Sequence, residues 1–446
     1  MIKRKGINRV IIEHVIPEID NGEFPAKRVV GEKFEIEADI ICDSHDKIAA
    51  EAVITEPDGN EKTLPMKSDD NDHWKTFFVP SKTGFYKYFV RAWVDHIGSW
   101  QRDIFKKYEA GQHLDVDMEI GVNLIRQNAS DHGEANRLHE MADRLHHAIG
   151  SDEAIHIAMD QEIHQLVNKF RDINKDTVYD HELKLEVERK RALFSTWYEF
   201  FPRSATMDDR HGTLRDCMNV LPYVKEMGFD VVYFPPIHPI GKKNRKGKNN
   251  SLQPGPEDPG SPWAIGSDEG GHKAIHPQLG GMEDFEALVG KAEEMGLEIA
   301  LDIAFQCAPD HPYVDSHPQW FKWRPDGTVQ YAENPPKKYE DILPINFETE
   351  DWENLWEELK SVITFWIEKG VKIFRIDNPH TKSFNFWQWC IGSIREQYPE
   401  IIFLAEAFTR PKVMYQLAKR GFTQSYTYFT WRNQKYEITE YCNELI

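Results

Sequence analysis

Four side chains at the ends of three apolar runs could do chemistry together. Asp302 lies inside IALDIAF (299–305), Arg375 and Asp377 close VKIFRID (371–377), and Glu406 sits near the end of IIFLAEA (401–407). Barrel active sites are built where parallel strands end. Arg375 and Asp377 are two apart, so on a strand both point to one face. An Arg beside an Asp favours the ionised carboxylate that a nucleophile needs. Glu406 follows Phe403-Leu404-Ala405, a run that would desolvate it, raise its pKa and leave it a proton to donate. Two carboxylates on neighbouring strands, one ionised and one protonated, are the equipment for glycosidic bond cleavage with retention. One acid at a strand end is as often a loop or helix-cap partner; the whole set in chain order is what points to catalysis.

A second group is a basic segment in an acidic chain. RKGKNN (245–250) carries Arg245, Lys246 and Lys248 with Asn249 and Asn250 around a glycine. Such a loop suits an anion, although from charge alone a solvated basic loop is the plainer reading. GSDEGGH (266–272) is Gly-rich but lacks the Walker spacing, so it is not read as a nucleotide loop. His139, His146, His147, His156 and His164 read as a solvated helix face rather than a metal site. The five cysteines, Cys42, Cys217, Cys307, Cys390 and Cys442, are too scattered for a zinc site or a disulfide framework. The expectation is no metal and no cofactor. Of the 13 Trp, any single one is more simply core than a platform for a sugar ring.

The elements that must position these groups follow from periodicity. With 446 residues the chain has room for two to four domains. Residues 8–110 read as antiparallel β: Phe34, Ile36, Ala38 and Ile40 alternate with Glu35, Glu37 and Asp39. Residues 115–173 switch to helical spacing, with Ser151 placed to cap a helix carrying Ile155, Met159, Ile163 and Leu166. HELKLEVER (182–190) alternates again and reads as a last sandwich strand. The domain expectation is a β-sandwich over 1–112 with its final strand at 180–191, a helical insert over 113–179, and an α/β barrel over 192–446 with a small subdomain near 308–346. Strands at 195–201, 231–236, 299–305, 371–377, 401–407 and 425–429 alternate with helices, which gives about six βα units. Two units of an eight-unit barrel are missing from this count. Net charge is −20, which argues against nucleic acid and anionic membrane as partners. The start, MIKRKGINRVIIEHV, is no signal peptide, and no apolar run reaches the roughly 18 residues of a membrane span. The compartment read from this is the cytoplasm.

The segments IALDIAFQC, FRIDNPH and FLAEAF resemble three characteristic regions of the α-amylase family of glycoside hydrolases. YEFFPRS, PPIHPIG, RKGKNN, GSPWAIGSDEGGH, QCAPDHP and ENPPKKYEDI resemble one branch of it, which moves maltosyl units from α-maltose 1-phosphate to α-1,4-glucan. Many amylases have Asn-His where this chain has Gln306-Cys307, and the branch shares that departure. The resemblance implies a retaining transglycosidase with Asp377 as nucleophile and Glu406 as acid and then base. It implies Lys246, Gln306, Asn334, Tyr339 and Asn378 around the phosphate and first glucose, with Arg375 beside them. It also implies a homodimer. The family's third carboxylate, an Asp ending the seventh strand, falls beyond Ile446, so a fragment or a natural truncation is expected. Two other readings stay open: another α-glucan hydrolase or branching enzyme, or a glucan-binding remnant without turnover.

Overall fold

Alternating burial organises the first part of the chain. The computed structural model describes residues 8–445, which divide into two compact units, one ending at Val187 and one beginning at Glu188. In the first unit Phe34, Ile36, Ala38 and Ile40 are buried on strand Phe34–Cys42 while the residues between them are not, as a period of two requires. That strand lies between Val10–Ile16 and His73–Phe78, with Lys67–Ser68 at the far side. The second sheet runs in the order Ala26–Val29, Leu183–Glu188, Gly84–Val94, Ile48–Thr55 and Glu61–Pro65. Its Tyr86, Tyr88, Val90, Leu183 and Leu185 share one core with Phe34 and Ile36. Residues 183–187 pair antiparallel with 84–88, so the chain returns to this sheet after a helical excursion.

Two expectations fail in that excursion. The β reading of residues 8–110 ends at Val94, and His96–Glu109 is a helix, so the helical part begins well before residue 113. Asp95 starts it by accepting the Gly98 N–H, and Ile97, Trp100 and Ile104 bury at helical spacing against Met118, Val122 and Ile125. The second failure is Ser151, which caps nothing: its hydroxyl donates back to the Ala148 carbonyl. The expected long helix splits into Glu153–Ala158 and Gln161–Lys169, because Asp160 turns out of the first and caps the second through the Glu162 N–H.

The second unit is a partial (β/α) barrel. Strands β1 (Trp197–Glu199), β2 (Val231–Phe234), β3 (Glu298–Ile303), β4 (Ile373–Asp377), β5 (Ile402–Glu406) and β6 (Gln424–Ser425) lie side by side in chain order, all parallel. Between them run α1 (Leu214–Glu226), α2 (Met282–Glu294), α3 (Trp352–Glu368), α4 (Phe384–Gln397) and α5 (Pro411–Lys419). β2 and β4 are buried at every position, which is why they read as unbroken apolar runs. Thr213 and Asp216 cap α1 reciprocally, and Gly228, Gly296 and Gly370 take positive φ where α1, α2 and α3 turn into the next strand. Phe285, Trp366, Phe374, Phe386, Trp387 and Phe403 fill the core between sheet and helices. The long β3–α3 connection holds a hairpin, Ala332–Asn334 with Lys337–Tyr339, and a two-residue pairing of Gln306–Cys307 with Leu343–Pro344.

A strand over the whole of 425–429 does not form. Only Gln424 and Ser425 pair with β5; Thr427 then accepts the Phe429 N–H and starts a 3-10 turn over Tyr428–Trp431. No helix among the described residues is long and apolar enough to cross a membrane.

Candidate active site

Parallel pairing of β4 and β5 sets Asp377 directly opposite Glu406 at the C-terminal edge of the sheet. Arg375 lies on the same face as Asp377 and reaches three carboxylates. Its Nη1 donates to Asp302 Oδ2 at 2.8 Å and to Asp377 Oδ1 at 2.9 Å, and its Nη2 stands 3.6 Å from Glu406 Oε1. The other Asp377 oxygen accepts from the Asn378 amide at 3.3 Å. Asn378 takes a left-handed conformation (φ 43°), and its backbone N–H donates to Glu406 Oε2 at 3.1 Å. Lys382 holds this turn closed, its ammonium within 3.4 Å of the Asp377 and Asn378 carbonyls and 3.0 Å from Thr381 Oγ1.

Burial and charge set the protonation of these groups. Burial raises the Glu406 carboxyl above its ordinary range, with Arg375 and the Asn378 N–H pulling it back. Asp302 is fully enclosed, and burial pushes it up to about 7 against the pull of Arg375. The same burial acts to lower Arg375, but Asp302, Tyr233, Asp377 and Glu406 outweigh it and the guanidinium is held charged. Desolvation draws the Lys382 ammonium down. The site therefore offers Glu406, which holds a proton more tightly than an exposed carboxyl does, beside Asp377, which accepts from two donors.

The remaining sequence-derived candidates fall into two groups. Gln306 follows β3, and its amide donates to the Trp263 carbonyl at 3.1 Å. Lys246, Asn334 and Tyr339 belong to a second set of contacts. Asn334 and Tyr339 belong to the two strands of one hairpin. Lys246, only 6% exposed, stands 4.0 Å from Asp341, and Asn244 donates to the Glu340 carbonyl at 3.1 Å. Among the described residues no hydrogen bond or ion pair joins Lys246, Asn334 or Tyr339 to Asp377 or Glu406. The basic loop thus folds against the hairpin, with one of its cations buried and only loosely paired.

Sequence reasoning missed several participants. Tyr233 donates to Asp302 at 2.6 Å; a hydroxyl inside the fully buried β2 had to find a partner, and that was its one signal. Tyr426 lies under the Arg375 guanidinium, 5.7 Å from it. Also unforeseen is a buried group of His272, Cys307 and His311 whose ligand atoms lie within 4.8 Å of one another. Its nitrogens are already engaged. The Tyr313 N–H donates to His311 Nδ1, His272 Nε2 faces the Ala304 carbonyl at 2.9 Å, and the two rings meet at 3.1 Å. The proton between them therefore belongs to His311 Nε2, which leaves no lone pair there for an ion. The group ties GSDEGGH and the end of β3 together instead, and a Cβ on Gly266 would lie 2.0 Å from the His311 ring.

Known proteins place this arrangement. The family described as α-1,4-glucan:maltose-1-phosphate maltosyltransferase, domain N/S, matches residues 8–189, and the α-amylase catalytic domain matches residues 166–357. An α-1,4-glucan:maltose-1-phosphate maltosyltransferase from Chlorobaculum tepidum is 54% identical over 99% of this chain and 66% of its own length. Another from Cereibacter sphaeroides is 49% identical over 98% of this chain and 74% of its own. The chain spans about two thirds of the length of most such relatives. Among solved structures, an α-amylase from Lactobacillus plantarum superposes with a TM-score of 0.46 at 24% identity, over 56% of this chain and 59% of that one.

Proposed function

The chain belongs to the α-1,4-glucan:maltose-1-phosphate maltosyltransferase family, within the α-amylase superfamily, and from that premise we propose that it transfers maltosyl units from α-maltose 1-phosphate to α-1,4-glucan with retention. The observation that carries this reading is the opposed pair Asp377 and Glu406 bridged by Arg375. Asp377 attacks the anomeric carbon of the donor. The C1–O bond to phosphate breaks, the electron pair leaves with phosphate, and Glu406 protonates the departing oxygen. Glu406, now a carboxylate, takes the proton of an acceptor hydroxyl, whose oxygen attacks C1 and releases Asp377.

Lys246 supports the phosphate half of the reading. A buried ammonium with a single partner among the described residues, at 4.0 Å, has donors left for an anion, and the hairpin carries Asn334 and Tyr339 close to that partner in sequence. Asn378 and Arg375 lie beside the carboxylates and, with Gln306, would hold the first glucose. The test is phosphate release from α-maltose 1-phosphate with glycogen as acceptor. Asp377→Asn and Glu406→Gln are each expected to lower kcat by at least about a thousandfold, and Lys246→Ala to raise the donor KM about tenfold with less effect on kcat. Release of reducing sugar from glycogen without any phosphate release from the donor would favour a hydrolase instead.

A further inference from the structure

Asn378 is held in a conformation that its place in the sequence disfavours. Its backbone is left-handed, at φ 43° and ψ 53°, a region that few residues other than glycine enter, Asn being among the more tolerant. Pro379 follows it, and a residue before proline is pushed toward extended backbone. Hydrogen bonds at the turn oppose that push. The Asn378 carbonyl accepts from the Thr381 N–H at 3.1 Å, the Thr381 hydroxyl at 2.8 Å and the Lys382 ammonium at 3.3 Å. The same ammonium reaches the Asp377 carbonyl at 3.4 Å and Thr381 Oγ1 at 3.0 Å. An ammonium has three donors, so Lys382 commits all of them to two carbonyls and a hydroxyl. Asp377, Glu406 and Asp302 all act on its charge, yet among the described residues it forms no ion pair with any of them.

We infer that Lys382 is a positioning residue, which clamps this turn so that Asn378 can hold both catalytic carboxylates. The inference rests on the roles proposed for Asp377 and Glu406 and deepens them. From the left-handed turn one residue serves two strands: the Asn378 amide donates to Asp377 Oδ2 and its backbone N–H to Glu406 Oε2. A turn that straightened would re-aim that N–H, and Glu406 would lose a donor that favours its charged form. Backbone strain of this kind persists only where surrounding contacts over-determine it, and it gathers at active sites. A lysine that merely packs is the plainer reading. It accounts neither for the choice of neutral acceptors beside three carboxylates nor for their convergence on the strained residue.

The test is the titration of Glu406 in the whole chain, read by carbon-13 NMR of the side-chain carboxyls and assigned by the signal missing in Glu406→Gln. Arg375 and Asp377 also act on Glu406, and both stay in every variant compared. Lys382→Met is expected to raise the Glu406 midpoint by about one pH unit. In the donor assay it is expected to lower kcat about a hundredfold while the donor KM stays within about threefold. Glycine takes a left-handed turn without help. In an Asn378→Gly background, Lys382→Met is therefore expected to raise the midpoint by about half as much or less. An equal rise in both backgrounds would overturn the inference, because Lys382 would then act through its charge alone. So would an unmoved midpoint in Lys382→Met, which would leave Lys382 a packing residue. If Lys382→Met does not fold, the double variant decides: folding restored by Asn378→Gly supports the clamp, and folding not restored overturns it. Absence of phosphate release by wild type sinks the transferase reading separately and leaves the titration readable.

Discussion

Arg375→Lys separates charge from geometry at the centre of the site. A lysine keeps the positive charge but cannot fork between Asp302, Asp377 and Glu406 as the guanidinium does. Phosphate release by this variant is expected to fall about a hundredfold. Arg375→Met also removes the charge that opposes burial at Glu406. Activity falls on the alkaline side as Glu406 loses the proton it must donate, and without the cation that proton is held to higher pH. The alkaline limb of the Arg375→Met profile is therefore expected to move upward, readable in whatever turnover remains. Arg375, Asp377 and Glu406 were legible because strand periodicity alone puts them on one edge. Tyr233, Tyr426 and Lys382 were not, because each reaches the cluster from another turn or strand, and a sequence does not print such convergence. Gln306 and Lys246 were found through resemblance, since neither lies at a strand end beside the carboxylates in sequence.

Helices and strands make their own expectations. Gly121 packs so closely on Trp100 that an added Cβ would lie 2.0 Å from the indole ring. Gly121→Ala is expected to destabilise the first unit by about 2 kcal/mol through overpacking, measured as a lower urea midpoint. His272 is a pH-sensitive tie within the second unit. Burial lowers its pKa from the ordinary 6.5 to about 4. Its neutral form thus contributes stability that is present above about pH 6.5 and is lost as pH falls toward about 4. Between roughly pH 7 and pH 5 the loss is about 2 kcal/mol for this residue. In His272→Gln the amide can still donate to the Ala304 carbonyl and accept from His311, so the variant should fold with a shallower decline, checked by urea titration at both pH values. At this scale the barrel strands were plain in the sequence, since each is a short buried run. The helix at His96–Glu109 was hidden because Phe85–Val94 runs straight into it without a glycine or proline between. The break at Asp160 was hidden because its cap competes with an otherwise uninterrupted helical pattern.

The whole molecule combines a net charge of −20 with a parallel sheet whose outer strands, Trp197–Glu199 and Gln424–Ser425, each have a neighbour on one side only among the described residues. Like charge keeps copies of so acidic a molecule apart. Raising the salt to about 1 M shortens the screening length to roughly 3 Å, and the chain is then expected to scatter more light; unchanged scattering would mean that charge repulsion is not what keeps copies apart. At the C-terminal edge of the barrel sheet a single guanidinium serves three carboxylates. If Asp377 becomes an ester, it no longer competes for Arg375, and the cation acts more strongly on Glu406. Its proton affinity then drops at the moment when it must change from acid to base. One fixed charge would thereby keep time for both halves of the reaction, with no moving part.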